Sequence, residues 1–185
     1  RKKEDILFVY TLHLDMKEES TYLKMDNVSV VRHDDITIVQ EGLSIDKSKK
    51  VCVIGFGPAG MFSALTLAAN GVNVTVFERG EEVDKRIESI NSFITTRQLN
   101  PQSNIQFGEG GAGTFSDGKL TNRKKDPLGK WLFTVLVEAG APEEILYVNN
   151  PHIGTDKLVD VVKNIRQKIT SLGSTILFNH QVKNI

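Results

Sequence analysis

One stretch constrains this chain more than any other. An apolar run, Val51-Cys52-Val53-Ile54, leads directly into Gly55-Phe56-Gly57-Pro58-Ala59-Gly60. A helix-like run from Met61 to Ala69 follows, and a second apolar run, Val74-Thr75-Val76-Phe77, ends in the acidic Glu78. A GxGxxG motif alone is weak evidence. Placed between a strand and a helix, with an acid at the end of the next strand, it is the fingerprint of a dinucleotide-binding βαβ unit.

Each residue type has a physical task in that reading. Gly55 permits the sharp strand-to-helix turn, at a φ that penalises a Cβ. Gly57 lets the backbone approach a pyrophosphate, and Gly60 lets helix and strand pack closely. Ala64 and Ala68 continue the small-residue row at four-residue spacing. Pro58 falls in the first helical turn, where no intrahelical donor is lost. The backbone N–H groups of Ala59 and Gly60 join the unpaired donors of the helix N-terminus, which favours an anion. Glu78 lies 18 residues beyond Gly60, where a carboxylate can accept from ribose hydroxyls and would repel a 2′-phosphate. A βα turn using its glycines for packing alone would need no such acid.

Size and charge narrow the class. The chain has 185 residues, is 39% hydrophobic, and balances 23 basic against 23 acidic side chains. That suits a globular chain with a real core and gives no global signal for nucleic acid or an acidic membrane surface. The single cysteine, Cys52, can form no internal disulfide and, inside the first strand, reads as a small core residue rather than a nucleophile. No run reaches the roughly 18 apolar residues of a membrane span. The four histidines are scattered, so no metal site is expected. A cytoplasmic location is the default.

Organisation follows from periodicity. Ile6, Phe8, Tyr10, Leu12, Leu14 and Met16 alternate with more polar neighbours, which predicts a strand. Val28–Val31 and Ile36–Val39 are shorter strand candidates. Residues 1–41 thus read as a partial, small β-rich or α+β module, 42–50 as a polar linker, and 51–185 as the dinucleotide domain. Ile87, Ile90 and Ile94 predict a helix over 83–98, ended by Asn100-Pro101. A glycine-rich loop runs from Asn104 to Leu120. Pro127 opens a further helix that closes near Gly140. Thr155, as N-cap, opens another that ends at Gly173. Thr175–Phe178 begin a third strand that could continue through Val182. The long stretch between Phe77 and that strand suits a flavin dinucleotide domain better than a plain nicotinamide domain.

The loop Gly108–Gly118 is glycine-rich at an entropic cost. It is expected to bring Gly110, Gly111 and Thr114 to a flavin or pyrophosphate. Arg79 could stack on adenine, pair with phosphate, or simply be solvated. Ser116, Asp117 and Lys119 are a possible cluster near the flavin or substrate, but no histidine lies near them in sequence. His152 stands before a helix N-terminus. No catalytic residue is assigned.

Five stretches resemble a family of FAD-dependent dehydrogenases, mostly uncharacterised, within the flavoproteins that carry two dinucleotide-binding motifs. They are GFGPAGMFSALTLA, the ERG at 78–80, LNPQSNIQFGEGGAGTFSDGKLTNR, GAPEEILY and PHIGTDKL. The resemblance implies FAD as cofactor, an incomplete Rossmann-like FAD-binding fold of the α/β class, and an oxidoreductase activity with NADH as a possible electron donor. It also suggests Val182 as the residue whose backbone holds adenine. Members are longer, with a strand and helix ahead of the region matching Arg1 and a substrate domain beyond Ile185. The chain is therefore expected to be a piece of a larger flavoprotein, inactive alone. The alternative is a non-catalytic FAD- or NAD-binding module, serving as a sensor or an assembly subunit.

Overall fold

The computed structural model describes residues 9–12, 14–30, 46, 48–120, 127–148 and 150–184. The chain divides into two compact units, Arg1–Asp35 and Ile36–Ile185.

In the first unit, α1 is a single turn, Glu19–Tyr22. Of the alternating segment, residues 9–12 and 14–16 have no regular structure in place of the expected strand, nor do residues 28–30 of the next candidate; Ile6, Phe8 and Val31 lie outside the described residues. The reason is visible in the exposure. Val9, on one parity, is 89% exposed, and Tyr10, on the other, 77%. Alternation predicts a strand only when one face has something to bury against, and neither face does among the described residues. The candidate strand Ile36–Val39 lies outside the described residues.

The second unit is built on a parallel sheet, with order β1-β2-β3. Strand β1 is Val51–Ile54, β2 is Val74–Phe77 and β3 is Thr175–Leu177. Val51 pairs with Val74, and Phe77 pairs with Leu177. Cys52 is exposed rather than in the core, because β1 is an outer strand of the described sheet and Cys52 lies on the face opposite Val51 and Val53. Between β1 and β2 lies α2, Pro58–Ala69. The long β2–β3 connection contains α3 (Val83–Thr96), α4 (Pro127–Glu138) and α5 (Thr155–Ser171). This is an α/β architecture with a small parallel sheet, consistent with an incomplete FAD-binding Rossmann-like domain.

Helix α2 forms because Met61, Ala64, Leu65 and Ala68 fall on one side, and all four are buried. They share a core with Val74 and Val76 of β2 and with Val161, Val162, Ile165 and Ile169 of α5. Each fully buried valine or isoleucine contributes about 1.5–3 kcal/mol. Two boundaries differ from expectation. Thr155 is the first residue of α5 rather than its cap, because its hydroxyl donates instead to Ser116 O at 2.7 Å. Strand β3 stops at Leu177. The chain then turns through Asn179, at φ 60°, and donates from Asn179 and His180 N–H to the carbonyls of Gly80 and Glu78.

Candidate dinucleotide cleft

The turn after β1 is held from three sides. Gly55, at φ 90°, donates to Phe77 O at 2.8 Å, which continues the β1–β2 ladder past the strand end. Phe56 is fully buried against Phe178, ring edge to ring face. Its N–H donates to Glu78 Oε2 at 2.7 Å, while Glu78 Oε1 accepts from Gly80 N–H at 2.9 Å. Glu78 is only 5% exposed. Its carboxylate therefore already ties the glycine turn to the segment leaving β2.

Gly57 and Gly60 stand in contrasting surroundings. A Cβ at Gly60 would lie 2.0 Å from Gly55 O, so the fold itself forbids any side chain there. At Gly57, which caps α2 at an ordinary φ of −78°, the nearest atom to an added Cβ is Gly111 Cα at 3.9 Å. The protein's own packing does not demand a glycine at 57. Gly111, at φ 67°, faces it from the second glycine-rich loop, with its own Cβ direction 3.3 Å from Gly57 Cα. Helix α2 begins here with Pro58 at its first position and no side-chain cap. The N–H groups of Ala59 and Gly60 are left to meet an anion.

A cleft of about 350 Å³ opens beside this junction, lined by Ile54, Gly55, Gly57, Phe77, Glu78, Arg79, Gln106, Phe107, Gly108, Gly111, His180, Gln181 and Val182. It lies at the carboxyl ends of β1 and β2, where open α/β sheets hold their ligands. Val182 arrives there because the chain folds back after Asn179. Arg79 forms part of the wall, its guanidinium 3.9 Å from the centre of the Phe107 ring and Nη2 donating to Pro101 O at 3.0 Å. Its Nε is buried without a hydrogen bond among the described residues.

Gly110 and Thr114 do not line this cleft. Gly110 N–H donates to Phe56 O at 2.8 Å, stitching the two glycine loops together. The Thr114 hydroxyl, buried, donates to Glu109 O at 3.3 Å. Thr114 packs inside the second loop, where a Cβ on Gly110 would meet its Oγ1 at 2.0 Å. Ser116, Asp117 and Lys119 are elsewhere. Asp117 and Lys119 form an exposed ion pair at 3.0 Å, and the Lys119 hydrogen bond holds the Asp117 carboxyl below its usual range. The same segment pairs antiparallel with His152.

Sequence reasoning missed the groups that hold the second loop in place. Arg86 and Glu109 are both fully buried. Glu109 Oε2 accepts from Val83 N–H at 2.7 Å, capping α3 from another segment. Oε1 lies 3.3 Å from Arg166 Nε, within ion-pairing reach but without hydrogen-bond alignment. Arg166 also binds Glu82 at 2.7 Å. A sequence signal for Arg86 exists. It sits on the apolar stripe of α3 with Val83, Ile87 and Ile90, where a solvated cation does not belong.

Burial pushes the Glu109 carboxyl up from its ordinary value of 4.5, and the Val83 N–H and Arg166 only partly oppose this. The sign follows from linkage. Between 4.5 and the raised value the folded state holds a proton that the unfolded chain has released, so this group makes stability fall as pH rises through that window. Glu109→Gln keeps an acceptor for Val83 N–H and is expected to remove that downward slope. Urea midpoints measured from pH 4 to pH 8 check it; identical slopes in wild type and variant would contradict the burial account.

Among the described residues no helix is long and apolar enough to cross a membrane, and no cluster of three His, Cys, Asp or Glu could hold a metal. Residues 48–89 match the FAD binding domain family. That match supports an FAD-binding flavoprotein. The match spans β1, the glycine turn, α2, β2 and the first part of α3. An uncharacterized protein of Clostridium beijerinckii is 45% identical over 188 residues, covering 100% of this chain and 35% of its own length. The chain thus spans about a third of that relative. Flavin-containing monooxygenase FMO GS-OX-like 9 of Arabidopsis thaliana is 50% identical over 48 residues, 26% of this chain and 10% of its own length. The geometry fits FAD on its own terms. The Cβ direction at Gly57 is open beside Gly111, at a helix N-terminus without a side-chain cap that suits a diphosphate.

Proposed function

We propose that this chain provides the ADP-binding part of an FAD-dependent oxidoreductase of the dehydrogenase type, with NADH as a candidate electron donor. In this reading the FAD diphosphate lies against Gly55, Gly57, Ala59 and Gly60, with Gly111 facing it. Glu78 reaches the ribose from the end of β2, and the backbone at Val182 meets adenine. Bound FAD supplies hydride and electron transfer, while the chain supplies position and electrostatics. The observation that carries the reading is the open Cβ direction at Gly57, at the start of a helix with no side-chain cap: packing gives no reason for a glycine there, and close approach of a diphosphate to the backbone would.

The enzyme and a non-catalytic module differ in redox behaviour. Full-length protein is expected to purify yellow and to bleach when NADH is added anaerobically, followed at the flavin absorbance maximum. A yellow protein that NADH and other hydride donors leave oxidised would favour a structural or sensing role for FAD. A colourless protein that takes up no FAD would remove the flavin reading itself.

A further inference from the structure

Arg86 is the most heavily committed polar side chain among the described residues. Its guanidinium donates to four main-chain carbonyls, all in the second glycine-rich loop: Asn104 O at 2.7 Å, Ile105 O at 2.8 Å, Glu109 O at 2.5 Å and Gly111 O at 2.9 Å. Its other face rests 4.7 Å from the centre of the Phe115 ring. Glu78 and Glu109 act on it through space. Desolvation lowers its pKa to about 10, so it stays charged at neutral pH.

A buried cation is an expensive way to fill a core, and an apolar side chain of similar volume is often as stable. What an apolar side chain cannot do is fix the direction of four carbonyls. The peptide bonds here are trans, so each C=O and the N–H that follows it point in opposite directions within the peptide plane. One consequence is already visible. Glu109 C=O turns in to Arg86, and the next N–H, of Gly110, turns out and meets Phe56 O in the first glycine turn. The Gly111 peptide repeats the pattern. Its C=O is on Arg86, its Cα faces Gly57, and the following N–H, of Ala112, points away from the guanidinium.

We propose that Arg86 is a positioning residue for the diphosphate site: by drawing the loop carbonyls inward, it turns the Ala112 N–H outward as a donor to a diphosphate ester held against the Gly57 turn, beside its contact with Gly111. The proposal rests on the FAD reading above. It predicts that the diphosphate, rather than the flavin ring, feels the loss of Arg86.

The test uses full-length protein carrying Arg86→Gln or Arg86→Lys, titrated calorimetrically with FAD and with ADP-ribose, which has the diphosphate but no flavin. Losing the four charge-assisted bonds is expected to weaken both ligands by about tenfold or more in Arg86→Gln. Lysine, with three donors and no planar fork, should fall between Arg86→Gln and wild type. In Arg86→Ala, added ethylguanidinium should restore part of the affinity. A purely structural role would lower the melting temperature of the apo-protein while leaving the affinity of the folded fraction unchanged and unrescued. Should Arg86→Gln fail to fold, Arg86→Lys decides. A folded variant binding FAD and ADP-ribose within twofold of wild type overturns the proposal and spares the FAD reading. A wild type that binds neither ligand overturns both.

Discussion

Gly57→Val is expected to leave the domain folded and strip it of flavin. The backbone at 57 sits at φ −78° and ψ −176°, an extended conformation that a β-branched residue adopts without strain. The nearest atom to the new Cβ is 3.9 Å away, so the fold has room for it. The added methyls then project from the turn beside the Gly57–Gly111 contact, onto the face against which the diphosphate is placed. An expected loss of about 100-fold or more in FAD affinity corresponds to roughly 3 kcal/mol. Gly60→Ala is the contrasting control. Its Cβ would lie 2.0 Å from Gly55 O, and overpacking of this kind costs about 1–3 kcal/mol and occasionally more. Circular dichroism, urea midpoints and flavin content of both variants separate the two effects. Normal flavin occupancy in Gly57→Val would mean that no ligand approaches the backbone at this turn.

Glu78→Ala is expected to cost both stability and affinity. The carboxylate accepts from Phe56 N–H and Gly80 N–H while only 5% exposed. Alanine leaves both donors orphaned, at about 1–3 kcal/mol each. On the ligand side, a charged acceptor for a ribose hydroxyl contributes about 1.5–3 kcal/mol, roughly 10- to 100-fold in affinity. The two effects come apart experimentally. Urea denaturation of apo-protein reports the anchoring of the glycine turn, and FAD titration of the folded fraction reports the ribose. An apo-protein as stable as wild type would contradict the anchoring role, whatever happened to FAD. Glu78→Gln should recover part of the stability, since one amide oxygen can replace one of the two acceptors.

Much of the second unit was legible because its elements carry local signals. Four-residue spacing of Ala64 and Ala68, isoleucines on one stripe of α3, and Gly140 and Gly173 just past helix ends all report the fold through nearest neighbours on a helix. The glycine turn was legible for the same reason, since strand, glycines, helix and acid follow one another directly. Two parts were not. Alternation from Ile6 to Met16 states that a chain could present one face, not that anything is there to receive it; Val9 and Tyr10 are both largely exposed. The second glycine loop was recognised as a loop, but its path is set by contacts across long sequence separations. Arg86 reaches the carbonyls of residues 104 to 111, and Glu109 caps the start of α3. No period encodes such contacts. Glycine richness alone therefore pointed to Gly110 and Thr114 as ligand contacts, whereas they stitch the loop to itself and to Phe56.

The central claim is that the cleft between the two glycine loops holds FAD, and the identity of the cofactor tests it most directly. Full-length protein, loaded with whatever it retains or reconstituted with excess FAD and then freed of unbound ligand, is denatured, and the released small molecules are identified by mass and absorbance. The account predicts FAD at about one per chain in wild type and its absence in Gly57→Val. Recovery of a nicotinamide dinucleotide alone, or of no flavin even after reconstitution, would contradict it.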